Sequence, residues 1–178
     1  METRKHSKKF FDVLIAEGVY FNDNRGFLKK TIFGDKFTDL MPEVRELITS
    51  KSLKNVIRGI HFQLPPKDVS KFISCVSGEI IDVFVDLRKS SNSYGEVGYF
   101  ELNENDNKAI FIPKGFGHGY IVKSEVAIVT YLQSGDYDQN YDSGINPNSI
   151  NYDWGTSSHI ISKKDAELID FEEFISPF

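Results

Sequence analysis

The run Glu79-Ile80-Ile81-Asp82-Val83-Phe84-Val85-Asp86-Leu87-Arg88 alternates with the two-residue period of a β-strand, in which successive side chains point to opposite faces. Ile81, Val83, Val85 and Leu87 make one face wholly apolar. Ile80, Asp82, Phe84, Asp86 and Arg88 make the other face mixed. Carboxylates lining a polar cavity would give this mixture, and so would a solvated outer face, which is the ordinary expectation for an antiparallel sheet. On that reading Asp82 and Asp86 are solvated or structural, and Arg88 forms a structural ion pair.

On either side of this strand, short runs rich in Val, Ile, Phe and Tyr are separated by Gly, Asn, Asp, Ser and Pro. They predict further strands at 11–16, 69–75, 98–102, 108–112, 119–122 and 127–133. Helix is expected only around 35–40 and at 163–173. Many short strands at close spacing predict an all-β sandwich or barrel, for which a jelly roll is a common closure. No repeat, low-complexity tract or linker interrupts the chain. Its 178 residues fit one domain, 1–178, with a substantial core.

Composition excludes several functional classes. Hydrophobic residues at 40% and charged residues at 26% are ordinary globular usage, so neither disorder nor a membrane partner is expected. The net charge of −5 comes without a long basic run, which argues against a nucleic-acid partner but leaves room for local arginines that hold single phosphates. Cys75 is the one cysteine and lies in an apolar stretch, which predicts a buried thiol and no internal disulfide. Residues 1–9 are basic, but the apolar stretch that follows is broken by Asp12 and Glu17, unlike a signal-peptide core. A cytoplasmic protein is expected.

Two segments carry more information. The first is Asn55-Val56-Ile57-Arg58-Gly59-Ile60-His61-Phe62-Gln63, followed by Pro65-Pro66. The second is Ile112-Pro113-Lys114-Gly115-Phe116-Gly117-His118-Gly119-Tyr120. A lone histidine in either would ordinarily be a hydrogen-bonded structural residue. Together, and with Gly78 to Arg88, Ser93-Tyr94-Gly95, Tyr131 and Ile161-Ser162-Lys163-Lys164-Asp165 in order along the chain, they resemble the dTDP-4-dehydrorhamnose 3,5-epimerase family.

That resemblance implies a homodimeric cupin jelly roll with a short C-terminal helix, without metal or other cofactor. It also implies inversion at C3, C5 or both of a nucleotide-diphosphate-linked 4-keto-6-deoxy sugar, hexose or heptose, used for cell-surface polysaccharide. By similarity His61 is the base, Asp165 its orienting carboxylate, Lys71 the partner of the enolate oxygen and Tyr131 the acid on the opposite face. Arg25 and Arg58 match phosphate-binding arginines, with Arg25 in a segment that reaches the partner subunit's site. Gln63 and His118 belong with the substrate-binding residues, His118 as one that orients the others. The chemistry is consistent in itself: hydrogens next to a carbonyl are acidic, and inversion needs a base on one face and an acid on the other.

The chain departs from the family pattern at Lys30, where rhamnose-pathway members commonly carry a glutamate associated with thymine. A lysine only donates, so it cannot accept the thymine N3–H. A CDP- or GDP-linked sugar, with acceptors on the base edge, is then an expectation. Glu46-Leu47-Ile48-Thr49 also lacks the usual Gln-Asp-Asn-His. Two rival readings stand beside the epimerase. A metal-dependent cupin isomerase would rest on His61 and His118 with weak further ligands. A sugar-nucleotide binding module would bind without proton exchange.

Overall fold

The computed structural model describes residues 1–178. Its strands form two facing antiparallel sheets and a separate hairpin. One sheet has the order β1 (Glu2–Lys5), β2 (Leu14–Glu17), β10 (Lys108–Ile112), β7 (Lys71–Ser77), β12 (Val126–Gln133) and β5 (Glu46–Leu53). The other has the order β13 (Asp142–Gly144), β6 (Ile57–Gln63), β11 (Phe116–Val122), β8 (Glu79–Asp86) and β9 (Val97–Asn103). From β5 onward the chain changes sheet at almost every connection, which is jelly-roll winding. The hairpin pairs β3 (Val19–Asp23) with β4 (Gly26–Lys30), and its side chains are almost all exposed.

The mixed face of β8 is the inner one, which overturns the expectation of a solvated face. Ile80 and Phe84 join Ile73, Ile110, Tyr120 and Val129 in the core between the sheets, and Asp82 between them is fully buried. The wholly apolar face points outward and is covered by the chain's last third. There Val83, Val85 and Leu87 pack with Ile145, Ile150, Trp154, Phe171 and Phe174. Trp154 is a packing residue whose Nε1–H donates to the Pro147 carbonyl at 2.9 Å. The far face of the larger sheet is covered at Phe72 and Phe111 by Met41 and by the short helix α1 (Asp35–Leu40).

The C-terminal helix is shorter than expected. Helix α2 covers only Lys163–Ala166, followed by a 3-10 turn at Phe171–Glu173. Between them Ile169 bridges to Ile145, and its carbonyl accepts from Asn146 N at 2.9 Å. That tertiary pairing takes the backbone groups a continuous helix would have used. Cys75 is buried as expected, and burial pushes its thiol up to about 11, which leaves it unreactive. Arg88 forks onto Asp86 with bonds of 2.9 and 2.7 Å, also pairs with Asp12, and lies over the Phe116 ring.

Gly59 decides how the first motif meets the site. In the β6–β11 ladder His61 opposes His118 and Arg58 opposes Tyr120, so three steps on β6 match two on β11. The extra residue is a bulge. Without it, Arg58 and His61 would point to opposite faces; with it, both point inward while Ile57, Ile60 and Phe62 pack outward. Gly59 sits at φ +129°, and a Cβ there would come 2.5 Å from the Gly119 Cα. Gly59→Ala is therefore expected to cost about 3 kcal/mol or more in urea unfolding, because both strain and a backbone clash must be relieved. A loss under about 1 kcal/mol would show that this crossing yields easily.

Candidate active site

Between the sheets opens a cavity of about 230 Å³, lined by Ile48, Ser50, Arg58, His61, His118, Tyr120, Tyr131 and Gln133. Seven of these eight side chains are polar or aromatic with a polar tip; Ile48 is the exception. A larger surface hollow of about 430 Å³, lined by Lys8, Lys9, Arg88 and the 90–93 turn, offers no acid–base pair. Its arginine is already committed to Asp86 and Asp12.

His61 comes from the smaller sheet and is held from behind. Its Nε2–H donates to Asp165 Oδ1 at 2.7 Å, which leaves Nδ1 as the free ring nitrogen. Asp165 is fixed by its own surroundings: Gly59 N donates to Oδ2 at 3.3 Å, and Asp165 N donates to Ser162 Oγ, the N-cap of α2. Burial, the largest single influence, would raise this carboxyl, but the His61 hydrogen bond and charge together with the Gly59 and Ser162 contacts outweigh it and hold it below its ordinary value. Asp165 therefore stays charged beside the imidazole.

A second group sits deeper. Lys71 Nζ donates to His118 Nε2 at 3.1 Å, so His118 is neutral with its proton on Nδ1. Burial depresses the His118 pKa well below normal, and the charges of Lys71 and His61 depress it further. Its Nδ1 is 3.5 Å from Asp82 Oδ2 but poorly aligned, and neither Asp82 oxygen finds a hydrogen-bond donor. Burial drives Asp82 strongly upward while the Lys71 charge pulls it back. Lys71 is itself brought down to about 8 by burial, against the opposing pull of Asp82 and Asp142. No group of three or more His, Cys, Asp or Glu side chains is arranged to hold a metal ion.

Tyr131 enters from the larger sheet and faces the His118 ring edge-on, with centroids 5.8 Å apart. Burial, with Tyr120 nearby, pushes its hydroxyl well above the ordinary tyrosine value. Arg58, which lines the cavity, donates from Nε to Ser52 Oγ at 2.8 Å and from Nη2 to the Lys51 carbonyl at 3.4 Å, with no protein partner for Nη1.

Three of the expected site residues lie elsewhere. Gln63 spends its amide on backbone, donating to the Lys67 and Asp136 carbonyls and accepting from Asp138 N, so it braces loops rather than lining the cavity. Arg25 is exposed on the β3–β4 hairpin and forked onto Asp23. Lys30 is exposed on the same hairpin with its ammonium over the Phe33 ring. Sequence reading missed Ser50, Ser52 and Tyr120. Tyr120 looked like a common strand aromatic, and only its tertiary position brings its hydroxyl to both serines.

A histidine and a tyrosine from opposing sheets, around one cavity, fit a reaction that inverts a carbon. The family model for dTDP-4-dehydrorhamnose 3,5-epimerase matches residues 7–173. The chain belongs to that family. It is similar to the dTDP-4-dehydrorhamnose 3,5-epimerase of Shigella flexneri, at 36% identity over 92% of this chain and 95% of that one. It is also similar to a dTDP-4-dehydrorhamnose 3-epimerase of Streptomyces niveus, at 32% identity over 83% of this chain and 73% of the relative. A solved dTDP-4-dehydrorhamnose 3,5-epimerase of Bacillus anthracis, with TDP and pyrophosphate bound, superposes with a TM-score of 0.87. Its identity is 30%, covering 95% of this chain and 99% of that one. As a member of this epimerase family, the chain is an enzyme of the isomerase class with a cupin-type β-sandwich. No helix is long and apolar enough to cross a membrane.

Proposed function

We propose that the chain inverts C3, C5 or both in a nucleotide-diphosphate-linked 4-keto-6-deoxy sugar, in the cytoplasmic supply of sugars for cell-surface polysaccharide. The observation that carries this reading is the placement of His61 and Tyr131 on opposing sheets around one cavity. A sugar ring lying between the sheets would meet the base on one face and the phenol on the other. His61 Nδ1 takes the proton next to the carbonyl, and Asp165 stabilises the resulting imidazolium. The electron pair moves onto the carbonyl oxygen, where the Lys71 ammonium stabilises the enolate. Tyr131 then returns a proton from the other side. Family relatives named as 3-epimerase and as 3,5-epimerase both exist, so regiochemistry is read from product.

At about 230 Å³ the cavity holds a sugar ring but not a whole nucleotide sugar. The diphosphate and base must lie along its mouth, where Arg58 presents a guanidinium. The hairpin carrying Arg25 exposes Val19, Tyr20, Phe21, Phe27 and Leu28, an apolar face suited to docking on a second copy. A homodimer in which each hairpin completes the other subunit's site accounts for both facts. No metal or cofactor is needed by this scheme.

Lys30, also on the hairpin, would then face the nucleobase and favour acceptor edges such as those of cytosine or guanine. The decisive experiment is NMR in heavy water with dTDP, CDP and GDP forms of one keto sugar, reading deuterium at C3 and C5 and the inverted product. Exchange with at least one form is expected; none with any form overturns the proposal. Lys30→Glu is expected to shift preference toward the dTDP form by about ten-fold, the worth of one charged hydrogen bond. A wild-type enzyme that already prefers dTDP removes the role given to Lys30.

A further inference from the structure

Tyr131, Ser50, Tyr120, Ser52 and Arg58 form one unbroken line of hydrogen bonds along the cavity wall. The separations are 3.5 Å from Tyr131 Oη to Ser50 Oγ, 2.9 Å on to Tyr120 Oη, 3.1 Å on to Ser52 Oγ and 2.8 Å to Arg58 Nε. Guanidinium nitrogens only donate, so the end at Arg58 fixes the direction of the whole line. Ser52 is buried and accepts from Arg58; the one remaining acceptor for its own proton is Tyr120. Tyr120 must then donate to Ser50, and Ser50 to Tyr131. Within 3.5 Å the Tyr131 proton is left with no protein acceptor, and Tyr131 lines the cavity.

We infer that Ser50, Tyr120 and Ser52 are positioning residues that aim the Tyr131 proton into the cavity and hold the phenolate oxygen formed when it leaves, with Arg58 setting their direction. This rests on the reading of Tyr131 as the acid. In the step itself the Tyr131 O–H bond breaks, its electron pair stays on the oxygen, and the new C–H bond forms on the sugar. The Ser50 hydroxyl then faces an oxyanion rather than a neutral phenol, and hydrogen bonds to ions are the stronger kind. Because Arg58 keeps its proton, the line ends in a dead stop. It steadies the phenolate but does not resupply it, so Tyr131 regains its proton from water in the cavity. The same guanidinium uses Nε for the line and lines the cavity, so a phosphate bound to it there would tighten the geometry of the acid.

The test separates aim from chemistry. In heavy water, His61 can return deuterium to the face it came from, which gives exchange without inversion, whereas inverted product needs Tyr131. Ser50→Ala and Tyr120→Phe are each expected to lower the ratio of inverted product to exchanged hydrogen about ten-fold, the scale of one hydrogen bond to a charged group. Ser50→Thr, which keeps the hydroxyl, is expected to restore the ratio relative to Ser50→Ala. Melting temperatures are measured for all three proteins. If exchange and product fall in parallel, or neither changes in Ser50→Ala, the residues are only structural and the inference is overturned. Failure of the wild type to exchange any nucleotide keto sugar would instead count against the proposed function.

Discussion

His61→Ala is expected to abolish deuterium incorporation at both C3 and C5, with a fall of about 10³-fold or more in kcat, near the upper range for a general base. The size follows from the absence of a substitute. His118, the other histidine lining the cavity, has its Nε2 lone pair committed to Lys71 and is held neutral by burial. The Asp165 carboxylate lies behind the ring rather than in front of it. Removing the ring also strands Asp165, since burial would then push its carboxyl upward with only Gly59 and Ser162 opposing. In the wild type the depressed Asp165 pKa contributes stability that is complete above the ordinary aspartate value of about 3.9 and is lost as pH falls through the lower folded value. That contribution should shrink in His61→Ala. His61→Gln, whose amide can still donate to Asp165, keeps more of it while remaining inactive. Persistent exchange in either variant at the wild-type rate would remove His61 as the base.

Legibility differed from strand to strand for physical reasons. The alternation of β8 was plain, but hydrophobicity could not say which face was inner. A charged face is ordinarily the solvated one because burying a group such as Asp82 is expensive, and sites of chemistry are where that expense is met. Strand β5 was missed altogether because its pattern is inverted. Leu47 and Leu53 point outward and are exposed, while Ser50 and Ser52 on the opposite face turn toward the cavity. A strand that lines a polar cavity and shows leucines at the surface reads as a loop. The hairpin was missed for a related reason, since its apolar residues find no core in this chain.

The motif positions were legible, and the structure explains one spacing that alternation cannot. Arg58 and His61 are an odd number of residues apart, yet they share a cavity because Gly59 adds a step. Local pattern suffices to locate such residues, whereas their partners come from distant strands. Asp165 reaches His61 across 104 positions, and Lys71 reaches His118 across 47. Gln63 shows the converse. It stands in the motif but alternates into a loop junction, where three backbone groups claim it.

Lys71→Met is expected to lower kcat/KM by about 10²- to 10³-fold, the usual loss when one oxyanion-stabilising group is removed. It should also change the pH profile. An ammonium that stabilises an enolate must carry its proton, and burial brings Lys71 down to about 8. Wild-type activity should therefore decline as pH rises through about 8, and Lys71→Met should lack that decline. The stability effect has the opposite sign. Between about 8 and the ordinary 10.5, the unfolded chain holds the Lys71 proton more tightly than the folded one. Wild-type stability relative to Lys71→Met should thus rise across that window, as the burden of a buried charge is relieved. Activity falling while relative stability rises over one pH interval is a paired signature that a surface lysine would not produce. Rate profiles and urea unfolding of both proteins at several pH values measure it. An alkaline decline that survives in Lys71→Met would assign the limb to another group and leave the enolate without its proposed partner.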